Sequence, residues 1–123
     1  VSLRRVALWG PFLAALALGF TLSSMQRVPG AEFFWDKLLH VTEFAGIGVL
    51  ALRAFHGGVV PPRRGPTLSA GAAVVLWALS DEFHQSFVPG RDASLRDVAA
   101  DVVGFAVASG LFYAFTKWRE ASR

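Results

Sequence analysis

The sequence contains no cysteine, so disulfide scaffolds, thiolate zinc sites and cysteine nucleophiles are excluded at the outset. It also lacks an HExxH pair and a serine elbow, the local signatures of zinc peptidases and α/β-hydrolases. Charge is sparse, at 17% of residues, and no apolar segment carries the polar face that a helix of a soluble bundle needs. The net charge of +3 does not indicate nucleic acid. The basic residues lie in short segments between apolar stretches and are not gathered on one face or arm.

What the sequence does have is hydrophobicity. Its 123 residues suffice for one domain, and at 54% hydrophobic with mean hydropathy +0.46 they are more apolar than a soluble domain of that length requires. Four apolar segments stand out: Val6 to Leu22, Leu38 to Phe55, Leu68 to about Phe83, and Val98 to Phe115. Each corresponds to about 24 to 27 Å of helix, near the lower limit for crossing a hydrocarbon core. With their polar ends included they predict transmembrane helices over about 6–22, 36–55, 67–85 and 97–116. The expected fold is an all-α membrane protein, an up-and-down bundle of four helices in a single domain, 1–123, surrounded by a lipid bilayer. Arg4 and Arg5 before an apolar run also fit a signal peptide. No clear A-x-A site follows Leu22, and cleavage would leave an odd number of spans, so the first segment is read as a retained helix.

The connections agree with that reading. Ser23 to Trp35 holds Pro29 and Gly30 and ends in Phe33, Phe34 and Trp35, an aromatic group suited to the headgroup level. His56 to Pro66 contains paired glycines and three prolines, which cannot continue a helix. Val88-Pro89-Gly90 is a turn signal in which proline presets φ and glycine can take φ > 0.

Charge gives the helices a direction. One side holds Arg4, Arg5, Arg53, Arg63, Arg64, Lys117, Arg119 and Arg123 against Glu120 alone. The other holds Arg27, Lys37, Arg91 and Arg96 against Glu32, Asp36, Glu43, Asp81, Glu82, Asp92, Asp97 and Asp101. The positive-inside rule counts basic residues, and the eight-to-four division places both termini and the central loop in the cytoplasm. The expected location is the bacterial cytoplasmic membrane, with the acids outside.

Those acids fall in a pattern. Positions 36, 40 and 43 share one helix face, so Asp36, His40 and Glu43 form a stripe about two turns deep. On the third helix Asp81, His84 and Gln85 are near neighbours, and on the fourth Asp97 and Asp101 lie one turn apart, followed by Gly104 and Ala108. Carboxylates at helix depth are costly unless they face the bundle interior and find partners. Lys37, Arg91 and the histidines are the available partners, and Gly104, Ala108, Ala45, Gly46 and Gly48 would let the backbones approach. Asp97 and Asp36 also suit a structural role, capping the fourth and second helices at their positive dipole ends. His40 and Glu43 do not, because an intramembrane histidine and glutamate at i, i+3 are functional candidates by default. His56 falls in the central loop and is expected to be solvated. His84 is expected at the interface.

At these residues the chain resembles the VanZ-like family of small bacterial membrane proteins. Asp36-Lys37-x-x-His40-x-x-Glu43-Phe44 is similar to that family's DKxxHxxEF/Y segment. Asp81-Glu82-x-x-Gln85-x-Phe87-x-Pro89-Gly90-Arg91, five residues, then Asp97 is similar to its DExxQxFxPGRxxxxxD segment. The order of motifs and the hydropathy profile agree over essentially the whole chain. The family commonly has Asn four residues after the last Asp, where this chain has Asp101. The resemblance implies a cell-envelope protein associated with resistance to the glycopeptide teicoplanin, and assigns no reaction.

Three functions fit the pattern. In the first, an outward polar cup formed by Asp36, Lys37, His40, Glu43, Asp81, Glu82, Gln85, Arg91, Asp97 and Asp101 binds a lipid headgroup, a lipid-linked cell-wall precursor or a glycopeptide. Arg91 and Lys37 meet phosphate or carboxylate, and Asp81, Glu82 and Gln85 meet hydroxyl or amine groups. In the second, an intramembrane hydrolase or transferase uses His40 as general base oriented by Glu43 or Asp81, with Arg91 at a developing oxyanion. A divalent metal held by His40, Glu43, Asp81 and Glu82 is a variant of it. The third, a small transporter or channel component, ranks last because the inner half has almost no polar lining. The sequence identifies no cofactor.

Overall fold

Helix ends in this chain fall at residues with a definite reason to stop a helix. The computed structural model describes residues 1–24, 33–91 and 93–123, and the side chains of 33–36 lie outside the description. The expected Pro29-Gly30 connection therefore lies outside the described residues. Four helices are present: α1 (Leu3–Ser23), α2 (Phe33–His56), α3 (Arg64–Gln85) and α4 (Leu95–Ala121).

α1 is capped by Ser2, whose hydroxyl accepts from the Arg5 N–H at 3.2 Å. α2 runs to His56 and stops in a Schellman arrangement. Gly57, at φ 75, donates its N–H to the Ala54 carbonyl at 3.1 Å, and Gly58 donates to Arg53 at 2.9 Å. α3 begins at Arg64, three residues earlier than expected. Pro66 sits in its first turn, where the missing N–H has no helical partner to lose. Beyond α3, Gly90 takes φ 80 and Arg91 donates its N–H to Val88 at 3.2 Å, which makes Val88-Pro89-Gly90-Arg91 a type II turn. α4 begins at Leu95, and its cap is Ser94, whose hydroxyl accepts from Arg96 at 3.1 Å. Asp97 is therefore inside the first turn and is not the capping residue.

α2 packs against all three other helices, most extensively against α4, and α1 does not meet α4 among the described residues. Glycine permits the α2–α4 contact. A Cβ on Gly104 would stand 2.6 Å from the Val41 carbonyl oxygen, and one on Gly48 would stand 2.6 Å from the Ala108 Cβ. Gly46, also expected in this contact, faces open space. The direction alternates along the chain. Arg4 at the start of α1 reaches Gly57 after the end of α2, Lys37 near the start of α2 reaches Asp97 at the start of α4, and Ser24 after α1 reaches His84 at the end of α3. One end of the bundle is therefore basic and the other acidic.

Pro11 lies inside α1 and removes the N–H that the Ala7 carbonyl would otherwise accept. Arg53, on α2, donates to that carbonyl at 2.9 Å and to Leu8 at 3.4 Å. The guanidinium so completes the hydrogen bonding of a helix other than its own.

The outward surface is apolar: Leu13, Leu18, Leu76, Val103, Val107 and Leu111 are all exposed. α1, the Lys37–His56 part of α2, and α4 are each long and apolar enough to cross a membrane. α3 falls short because Gly65-Pro66-Thr67 opens it and Asp81 and Glu82 lie in its last turns. The described chain is all-helical, and the protein is a membrane protein.

Candidate functional site

The acidic end is assembled by helix register. On α2, His40 and Glu43 are spaced to face the same side, and both line a cavity of about 280 Å³. Asp81 and Gln85, one turn apart on α3, line it too, and the type II turn delivers Arg91 to it. α1 closes the remaining wall with Gly19, Leu22 and Ser23. This contribution from α1 is absent from the sequence reading, which distributes the site over the second, third and fourth helices. The one available signal is Gly19. A Cβ there would stand 2.5 Å from Glu43 Oε1, so glycine is what lets the Glu43 carboxylate lie against the α1 backbone.

The two carboxylates of α4 stand behind His40 and outside the cavity lining. His40 Nδ1–H donates to Asp101 Oδ1 at 2.7 Å, and both side chains are buried. The sequence reading gave the task of orienting His40 to Glu43 or Asp81, and the geometry gives it to Asp101. A carboxylate on Nδ1 fixes the ring's tautomer and orientation. Asp97 accepts from the Lys37 ammonium and lies 3.9 Å from His40 Nε2. Lys37 is thereby engaged with an acid of the protein.

Glu82 also has its own task. It is buried, and its Oε1 accepts from the Ser94 backbone N–H. The bond ties the end of α3 to the start of α4, and Glu82 is not part of the cavity lining. His84 turns away to α1, stacked on Phe20 with ring centroids 4.5 Å apart and its Nε2 3.0 Å from Ser24 Oγ. The Asp36 side chain and Asp92 lie outside the described residues. His56, expected in a solvated loop, is instead buried at the end of α2, at the basic end. Its Nδ1–H donates to Leu52 at 2.8 Å and its Nε2 accepts from the Arg63 N–H at 3.0 Å. The Schellman stop falls at the glycine pair and retains His56 in the helix, one residue beyond the expected end at 55.

Within the cavity the balance of donors and acceptors is uneven. Asp81 Oδ2 accepts weakly from Gln85 at 3.4 Å, and its Oδ1 is buried with no hydrogen-bond partner among the described residues. A buried acceptor left without a donor costs roughly 1 to 3 kcal/mol. Glu43 likewise receives no hydrogen bond, and Arg91 enters no ion pair, among the described residues. Among the described residues the cavity thus presents two carboxylates with unused acceptor capacity and one guanidinium. No three His, Asp or Glu side chains among the described residues converge closely enough to hold a metal ion.

Comparison with the curated proteins and with the solved structures returned no match. A family model described as VanZ/LLP1 matches residues 3–116, a span that includes α1, α2, α3, most of α4, the cavity and the His40–Asp101 pair. On that match, the chain belongs to the VanZ/LLP1 family.

Proposed function

We propose that this protein crosses the bacterial cytoplasmic membrane four times, with both termini cytoplasmic, and that its outward cavity binds the polar headgroup of an envelope lipid or lipid-linked cell-wall precursor. The observation that carries the binding reading is Asp81. Asp81 lines the cavity and its Oδ1 is buried with no donor among the described residues, a cost that a ligand N–H or O–H brought to this carboxylate would reduce. The orientation rests on the eight-to-four division of basic residues. α3 is the fourth span on this reading because the acids that lower its hydropathy, Asp81 and Glu82, are buried within the bundle.

Through this cavity the protein would act on teicoplanin susceptibility, by engaging a precursor or the glycopeptide itself. The test is His40→Ala or Glu43→Ala in a sensitive host, with membrane accumulation and teicoplanin susceptibility measured together. The expected outcome is altered susceptibility at normal accumulation. Unchanged susceptibility at normal accumulation removes the link between the cavity and that phenotype.

The His40–Asp101 hydrogen bond favours a second reading, an intramembrane hydrolase or transferase. His40 would accept a proton at Nε2 from water or a hydroxyl, Asp101 would stabilise the resulting imidazolium, and Arg91 would meet the developing oxyanion. Asp101→Asn separates the two readings. The amide oxygen still accepts from Nδ1–H but does not neutralise an imidazolium, so turnover falls while binding persists.

A further inference from the structure

The cavity's chemistry narrows the headgroup, on the reading that it is a headgroup site. Among the described residues its walls carry Glu43 and Asp81, both with unused acceptor capacity, and one guanidinium, Arg91, in no ion pair. Asp81 is only 6% exposed, so a group that meets its carboxylate must enter the bundle. Two carboxylates disfavour a ligand that is anionic throughout, and one guanidinium leaves room for one phosphate. The complement is a zwitterion with a hydrogen-bonding ammonium for the acids and a phosphate for Arg91.

Size and access point the same way. A cavity of about 280 Å³ has room for an aminoethyl phosphate. Leu22 of α1 and Leu39 of α2 line the cavity and are also 42% and 49% exposed on the apolar surface. The cavity therefore borders the face that meets acyl chains. We infer that the cavity takes the headgroup of an aminophospholipid such as phosphatidylethanolamine, with its ammonium at Asp81 and Glu43, its phosphate at Arg91, and its chains passing out beside Leu22 and Leu39.

The experiment is native mass spectrometry of the detergent-purified full chain, titrated separately with phosphatidylethanolamine, phosphatidylcholine and phosphatidylglycerol. One phosphatidylethanolamine should be retained in preference to the other two, because the trimethylated headgroup has no N–H to give and the glycerol headgroup has no cation. Asp81→Asn should weaken that retention by about ten- to a hundredfold, the range for loss of one charge-assisted contact. Arg91→Gln should weaken phosphatidylethanolamine and phosphatidylglycerol alike. Equal retention of all three lipids by wild type and Asp81→Asn overturns the inference and the headgroup reading together. Selective retention of phosphatidylglycerol, lost in Arg91→Gln and unaffected by Asp81→Asn, overturns the amine assignment and leaves a headgroup site standing. Helical content by circular dichroism verifies that each variant is folded.

Discussion

The two ends of the bundle handle charge in opposite ways. At the basic end three of the eight cations are engaged with backbone: Arg4 donates to Gly57, Arg53 to Ala7 and Arg119 to Val59. His56 is likewise held between Leu52 and Arg63. At the acidic end Asp97, Asp101 and Glu82 find donors, while Glu43 and Asp81 Oδ1 do not among the described residues. The basic end is a finished structural joint and the acidic end has acceptors in excess. Charge at one end therefore contributes hydrogen bonds to the bundle, and part of the charge at the other makes none among the described residues.

Both ends depend on the α2–α4 contact, and breaking it gives the largest expected effect. Gly104→Val puts atoms against the Val41 carbonyl and the Ala45 nitrogen, which are backbone and cannot swing aside. The cost should be about 3 kcal/mol or more, read as loss of the monodisperse peak on detergent size exclusion. Arg53→Met comes next. It leaves the Ala7 carbonyl without a donor and should lower stability by roughly 1 to 3 kcal/mol in reversible unfolding. Combining it with Pro11→Ala should recover most of that loss, because residue 11 then supplies the missing N–H. An undiminished cost in the double variant would mean that Arg53 acts through something other than this carbonyl.

Asp101→Ala should cost about 1 to 2 kcal/mol by orphaning the buried His40 Nδ1–H, while Asp101→Asn, which retains an acceptor, should cost less than about 1 kcal/mol. The smallest effect belongs to Asp81→Asn, within about 0.5 kcal/mol of wild type in lipid-free detergent, since no donor is lost from Oδ1. A large destabilisation there would erase the contrast between the two ends, by showing that the acidic end is as structural as the basic one.

Local rules made much of the fold legible. Gly57-Gly58 and Val88-Pro89-Gly90 act through their own φ angles, so their stop and turn can be read without neighbours. The pairing of His40 and Glu43 on one side follows from helical spacing alone. Spacing cannot say which foreign helix a face will meet. For that reason Asp101 stands beside His40 where spacing points to Glu43 or Asp81, and Gly19, Leu22 and Ser23 of α1 line a cavity expected on the second, third and fourth helices alone. Glu82 differs from its expected place in the same way, because its partner is the backbone N–H of Ser94, and a backbone group leaves no trace in residue identity. The start of α4 was readable and was placed too late, since the apolar run beginning at Val98 outweighed a serine with a strong capping preference.

The proline in α1 has a consequence for how the protein is made. The chain emerges from its N-terminus, so the Ala7 carbonyl exists before the arginine that completes its hydrogen bonding has been synthesised. Until α2 arrives, α1 carries a gap that only water or a headgroup can fill, and apolar surroundings offer neither. The unit of assembly is therefore the α1–α2 hairpin, and a ribosome-bound intermediate ending before Arg53 holds a first helix that has not yet reached its final state.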